Sequence, residues 1–297
     1  MKIRLALSMV GLLAAAGLTG CFRTTHIVQQ TQPPDMYRST SVENLERVIS
    51  ERDASIKTLN AAVLLTASTG GGKEGKVITY TSFKGYIFVR KPRDLRVIML
   101  LPVLGSSALD MVSNGDTFTL KHATGGHGDV WIQGSNTVTT PSKNGLENLR
   151  PPVFFDSMMV PGVTEDELVS LTESTRVLQP QSKHGPAIEE PDYELEVLRR
   201  GNGNTLHTAR LIHFSRVTLL PFQQDIYDDK NEVVTSATYD KYQDFNGVQF
   251  PTEIDIRRPL DEYVLKLQIT KLTLNQPLEN DQFELKVPAG VTVQQMK

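Results

Sequence analysis

The hydrophobic pattern of the chain changes its period near residue 60 and then keeps the new period almost to the end. Apolar residues recur every three or four positions at first, which predicts an amphipathic helix from about Val42 to Lys57 that begins after Ser41. From Ala62 onward, apolar and polar residues alternate in short segments separated by Gly, Pro and Asn. This pattern predicts ten or eleven antiparallel strands in a single large sheet.

The alternation is interrupted once, between residues 146 and 170. Pro151-Pro152 and Pro161-Gly162 bracket a short helix predicted from about Pro152 to Met159. This helix is apolar nearly all round, so we expect it to be buried or to lie in apolar surroundings. The acidic run at residues 164–167 resembles the first turn of another helix.

The segment from Val97 to Leu101 departs from simple alternation because large apolar residues stand at successive positions. A strand with one face in water alternates cleanly, so here both faces are covered or one face lines a cavity. Alternation places Ile98 and Leu100 on one face, and Val97 and Met99 on the other. A packed core and an apolar cavity both fit this pattern.

The first twenty residues have the features of a secretory signal. Lys2 and Arg4 precede an apolar run that is too short for a permanent membrane span. Leu18-Thr19-Gly20-Cys21 then resembles the lipobox of bacterial lipoproteins, whose cysteine is acylated and becomes the first mature residue. An ordinary signal peptide with an incidental cysteine is the alternative. We therefore predict a signal at residues 1–20 and a lipid anchor at Cys21.

Residues 21–40 are polar, contain Pro33-Pro34 and show no period, so we interpret them as a flexible tether. The remaining residues, 41–297, are predicted to form one domain. In bacterial lipoproteins an aspartate after the cysteine is associated with retention in the inner membrane. Phe22 stands at that position here, so the resemblance favours the outer membrane, with the domain facing the periplasm.

Composition narrows the range of partners. Cys21 is the single cysteine of the chain, so no internal disulfide can form and a hydrophobic core must stabilise the domain. Removal of the signal lowers the basic count from 31 to 29 against 34 acidic residues. This balance, with no basic stripe, does not fit nucleic-acid binding.

The sequence contains no strong signature of catalysis. It has no Gly-x-Ser-x-Gly elbow, and the Gly70–Gly75 turn lacks the spacing and the Ser or Thr of a phosphate loop. His122 and His127 flank a glycine-rich turn, but no carboxylate-rich partner motif stands beside them. We expect a solvated turn there, surface positions for His207 and His213, and neither enzymatic activity, metal nor cofactor.

Two stretches resemble a known superfamily. Residues 95–111 form a strand, a Pro-x-Leu-Gly-Ser connection and an alternating strand, similar to a hairpin of the bacterial lipoprotein-localisation factor LolB. Residues 271–291, with the sequence KLTLNQPLENDQFELKVPAGV, resemble the end of the related LolA-type sorting proteins. Val103, which separates Pro102 from Leu104-Gly105, departs from the LolB pattern.

The resemblance implies a mainly β fold, namely a half-open antiparallel β-barrel with an apolar concave face and helices as lid and plug. It also implies binding of the acyl chains of lipoproteins or lipids, and their insertion at the outer membrane through Val103 and Leu104. A periplasmic carrier protein is a possible partner, and an envelope sensor on the same scaffold is the alternative function. The predicted cavity residues are Ile98, Leu100, Phe154, Phe155 and Met158.

Overall fold

A computed structural model describes residues 31–73, 75–101, 106–124, 128–137, 149–180 and 185–296. By its internal contacts the chain divides into two compact units. The smaller unit comprises Met1–Pro34 and Arg176–Glu190, and the larger unit comprises Asp35–Thr175 and Pro191–Lys297. The predicted signal, Cys21, Val103, Leu104 and His127 all lie outside the described residues.

The described residues form sixteen strands and two α-helices. The helices are α1, Val42–Ser55, and α2, Pro151–Met159. The strands are β1 Thr31–Gln32, β2 Thr58–Gly71, β3 Lys76–Thr79, β4 Phe83–Arg90, β5 Asp94–Leu100, β6 Ser107–Ser113, β7 Thr117–Ala123, β8 Asp129–Ser135, β9 Leu168–Leu178, β10 Ala187–Arg200, β11 Leu206–Ser215, β12 Pro221–Tyr227, β13 Val233–Phe245, β14 Val248–Arg258, β15 Tyr263–Leu274 and β16 Val293–Met296. No helix of the described chain is both long enough and apolar enough to cross a membrane.

In the smaller unit, β1 pairs in parallel with the start of β10, with Thr31 opposite Ala187. The Thr31 hydroxyl donates to the Glu189 carboxylate at 3.0 Å. Arg176 donates to both carboxylate oxygens of Glu190, each at 3.2 Å. A parallel pair of two residues supplies few backbone hydrogen bonds, so these side-chain bonds add to what holds this unit together.

The larger unit is built on one sheet. Its strand order is β9, β10, β11, β12, β13, β14, β15, β2, β4, β5, β6, β7, β8 and β16, with β3 paired to the end of β2. Neighbouring strands from β10 to β8 in this order pair antiparallel, whereas β16 pairs in parallel with β8. Among the described residues β9 and β16 each have one paired edge, so the sheet is not closed. The predicted fold class, mainly β with an open antiparallel sheet, is confirmed.

One face of this sheet forms the hydrophobic core. In β5, Leu95, Val97 and Met99 are almost fully buried, and alternate residues of β2, from Leu59 to Ala67, are buried in the same way. Leu45 and Ile49 of α1 and four residues of α2 belong to the same cluster. Burial of each large apolar side chain contributes about 1.5–3 kcal/mol, so both helices are held chiefly by this shared core.

Local sequence explains where the helices begin and end. The Ser41 hydroxyl accepts a hydrogen bond from the Asn44 N–H at 3.3 Å at the start of α1. Helix α2 begins with two prolines, which need no hydrogen-bond acceptor in a first turn. It ends at Val160, whose backbone is left-handed with φ of 41°. The predicted bounds of both helices agree with the structure to within two residues.

The acidic run at residues 164–167 is not a helix, and this prediction was wrong. The run is irregular, and strand β9 begins directly after it at Leu168. Glu167 is buried, and its carboxylate accepts from the Thr164 N–H at 3.0 Å and from Arg199 at 2.9 Å. A buried carboxylate needs such partners, and here the partner arginine comes from β10 rather than from a helical turn.

The expected solvated position of His122 also needs correction, whereas residues 125–127 of the predicted turn lie outside the described residues. His122 is 3 % exposed and lies opposite Leu109, on the core-facing side of β7. The turn signal places the end of the strand correctly. However, alternation along β7 takes His122 to the same face as Leu120 and Phe118, away from solvent.

Candidate ligand cavity

Helix α2 lies against the core face of the sheet, and side chains from two strands donate hydrogen bonds to its backbone. The Tyr239 hydroxyl donates to the Ser157 carbonyl at 2.8 Å, and the Gln224 amide donates to the Asp156 carbonyl at 3.1 Å. Just beyond the helix, Arg210 donates to the Pro161 and Gly162 carbonyls at 2.6 and 2.9 Å. These bonds fix the C-terminal half of α2 over the core.

Two positively charged side chains meet one carboxylate beside this anchor. Glu167 forms ion pairs with Arg199 at 2.9 Å and with Arg210 at 3.3 Å. Burial alone would raise the pKa of Glu167, but the Thr164 N–H and the two arginines hold it below its ordinary value. The cluster thus keeps a charged carboxylate in place where the chain leaves α2.

A cavity of about 220 Å³ lies at the other end of α2. It is bounded by the β4–β5 turn, the β6–β7 turn, the end of β8 and the first two turns of α2. Its lining residues are Pro92, Arg93, Leu95, Ser113, Gly115, Asn136, Pro151, Pro152, Phe155 and Asp156. Most of this wall is apolar, as in pockets that bind small amphiphilic molecules.

The structure separates the five residues that were predicted to line a cavity. Phe154 and Met158 are fully buried in the core, and only Phe155, half-buried, lines the cavity. Ile98 and Leu100 are half-buried and alternate with the core residues Val97 and Met99, so they lie on the other face of β5. The sequence could not distinguish the two faces because both are apolar.

Two acceptor groups of residues that line the cavity receive no hydrogen bond within the described part of the chain. The Asn136 amide nitrogen donates to the Ser113 hydroxyl at 2.8 Å, while its buried oxygen accepts no hydrogen bond from the described residues. Within the same part of the chain, no group donates a hydrogen bond to the Asp156 carboxylate. Burial raises the pKa of Asp156 to about 6, although Arg210 and Arg199 act to lower it.

Neither Asp156 nor Asn136 was singled out in the sequence. In the sequence, Asp156 is recognisable only as the single carboxylate in the largely apolar run Pro151–Met159, where it stands between Phe155 and Ser157. Asn136 follows the end of β8 and carries no comparable signal. It reaches the cavity only because β8 ends beside the β6–β7 turn.

The histidines do not form a metal centre in the described chain. His213 lies 3.6 Å from Glu194 and 3.5 Å from Asp225, and it is only 14 % exposed rather than at the surface. No group of three or more His, Cys, Asp or Glu side chains that could hold a metal occurs among the described residues.

Comparison with known proteins gives similarity in structure only. No protein-family model and no curated protein sequence matches the chain. A DUF1329 family protein from Desulfovibrio piger is 15 % identical with a TM-score of 0.49, covering 83 % of this chain and 98 % of that one. A LolA superfamily protein from Nitrosomonas europaea is 12 % identical with a TM-score of 0.48, covering 81 % and 97 %.

A third similar structure is a putative outer membrane lipoprotein-sorting protein domain from Vibrio parahaemolyticus. It is 12 % identical with a TM-score of 0.44, and the match covers 82 % of this chain and 97 % of that one. The solved structures that this chain resembles thus include a LolA superfamily protein and a putative outer membrane lipoprotein-sorting protein domain.

Proposed function

We propose that this chain is a binding protein, not an enzyme, and that it holds acyl chains of lipids or lipoproteins along helix α2 of its larger unit. The observation that carries the proposal is the apolar cavity at the start of α2, next to a core face that the same helix covers. Each acyl CH₂ moved from water into such a site gains about 0.8 kcal/mol.

Helix α2 is held less firmly than its apolar contacts alone would suggest. The Ser157 hydroxyl and the Gln224 amide oxygen beneath it are buried and have no hydrogen-bond partner among the described residues. Each unpaired buried polar group costs about 1–3 kcal/mol, which offsets part of the stabilisation from Phe154 and Met158. In this proposal, an acyl chain longer than the cavity extends along the core face only when α2 moves and breaks the bonds that Tyr239, Gln224 and Arg210 make at its C-terminal end.

The anchor and the delivery step belong to the same proposal and rest on the sequence. An acylated Cys21 would tether the chain to the outer membrane, and Leu104 would enter the bilayer during transfer of the cargo. Burial of one leucine in lipid is worth about 1.5–3 kcal/mol, which is too little for anchoring but enough to bias a transfer step.

The test uses the mature chain with Cys21→Ser and a fluorescent fatty acid as the probe. We expect binding by the parent chain and at least about tenfold weaker binding by Phe155→Glu, because a charge in the cavity wall opposes the acyl chain. Leu206→Glu is the matched control, since Leu206 is 46 % exposed and lies outside the cavity lining. Equal binding by both variants would exclude this cavity as the site, and no binding by the parent chain would exclude acyl binding.

A further inference from the structure

The cavity at the start of α2 has a mostly apolar wall that includes one carboxylate, that of Asp156. Leu95, Pro151 and Phe155 supply apolar surface, whereas the Asp156 carboxylate receives no hydrogen bond from the described residues. A carboxylate in largely apolar surroundings normally has a donor, so its presence at an open cavity calls for an explanation.

The nearby arginines do not supply the missing donors. The Arg93 guanidinium lies at the rim, with its side chain 66 % exposed, and faces Asp116 at 3.4 Å. Its aliphatic stem packs against Gly115, where an added Cβ would come within 2.4 Å of the Arg93 side chain. Arg199 and Arg210 are paired with Glu167. The Asp156 carboxylate therefore remains open to a ligand in the cavity, whereas the Asn136 amide oxygen is fully buried.

From this geometry we infer that the site prefers amphiphiles whose head group donates hydrogen bonds and carries a positive charge, such as a long-chain primary amine. This inference rests on the proposed acyl-binding function and specifies the head group for the same cavity. The ammonium group would donate to the Asp156 carboxylate, while the chain would lie against Leu95 and Phe155. A carboxylate head would meet the Asp156 carboxylate with like charge.

Burial of the Asp156 carboxylate also lowers the stability of the fold, because the charges of Arg210 and Arg199 only partly offset the rise in its pKa. Charges placed in apolar surroundings without a partner destabilise the fold, so they concentrate at functional sites. A bound amine would pair with the carboxylate and remove this cost, so binding of the amine would also stabilise the fold.

The experiment compares three probes with the same alkyl chain: dodecylamine, dodecanol and dodecanoate. Binding to the Cys21→Ser chain is measured by calorimetry below the micelle concentration at neutral pH. We expect the amine to bind about tenfold or more tighter than dodecanoate, the effect of one charge-assisted hydrogen bond. Asp156→Asn should bring the amine and dodecanoate to within about threefold of each other and leave dodecanol nearly unchanged.

The negatively charged protein attracts any cation to some extent, so the control variant must change the net charge equally. Asp229→Asn does so at an exposed residue outside the cavity lining, and it should keep the full preference for the amine.

The outcomes separate this inference from the proposed function. Equal affinities for the three probes, or a preference that Asp229→Asn reduces as much as Asp156→Asn does, would overturn the inference and leave acyl binding intact. Failure of the parent chain to bind any of the three would overturn the proposed function itself. A melting temperature at or above that of the parent chain confirms that each variant is folded.

Discussion

Replacement of Asp156 by Asn should stabilise the protein at neutral pH. Burial raises the pKa of this carboxyl from 3.8 to about 6, which means that the folded chain opposes its ionisation. One pKa unit corresponds to about 1.4 kcal/mol, so the cost of the charged form is at most about 3 kcal/mol. Because the carboxylate borders an open cavity, we expect a measured gain of about 1–3 kcal/mol from the substitution.

The stability that this carboxyl removes should depend on pH in one direction only. The folded-state pKa lies above the unfolded-state value, so the folded chain binds more protons between these two values and stability falls as the pH rises through them. Below about pH 4 the carboxyl is protonated in both states, and the parent chain and Asp156→Asn should differ little in this contribution. The difference should grow from about pH 4 to pH 6 and stay constant above that.

Urea unfolding of the Cys21→Ser chain and its Asp156→Asn variant across this pH range measures the difference directly. Asp229→Asn serves as the control, since this exposed residue should give a nearly flat difference. If the stability difference for Asp156→Asn does not change with pH, or if the variant is less stable at neutral pH, burial of an unpaired charge at this position is refuted.

Three further predictions concern other parts of the molecule. Glu167→Gln should lower the free energy of unfolding by about 3–5 kcal/mol, because it leaves the buried charge of Arg210 without its carboxylate. Arg199 is exposed, so Arg199→Ala should lower it by less than about 1 kcal/mol in the same urea titration. Met99→Asp should prevent folding while Ile98→Asp is tolerated, as judged by circular dichroism, because only Met99 faces the core. Leu104→Glu should leave the melting temperature and acyl binding unchanged and slow cargo transfer to vesicles; a large loss of thermal stability would exclude the transfer role.

The fold was predictable where local signals and the global arrangement agree. Pro151-Pro152 and Pro161-Gly162 bracket α2 in the sequence and in the structure, and alternation identified the sheet from Ala62 onward. The parallel pairing of β16 with β8 was not predictable, because it joins segments about 160 residues apart. No local pattern specifies such a contact.

The site was predictable only in part. Apolar residues at successive positions in β5 cannot reveal which face packs, and it is the sheet register that buries Val97 and Met99 rather than Ile98 and Leu100. The cavity lining combines Asp156 of α2 with Asn136 after β8, and the packing of the helix on the sheet brings these residues together. The acidic run ending at Glu167 resembled a helix start because its partner, Arg199, lies on a distant strand.

Native mass spectrometry of the Cys21→Ser chain, purified from bacterial cells with and without detergent extraction, tests the central claim most directly. If the chain binds acyl chains in the cavity beside α2, it should carry non-covalent adducts with the masses of acyl-bearing lipids. Detergent should remove these adducts, added lipid should restore them, and Phe155→Glu should lack them. A bare chain under all conditions, or identical adducts on Phe155→Glu and the parent chain, would contradict it.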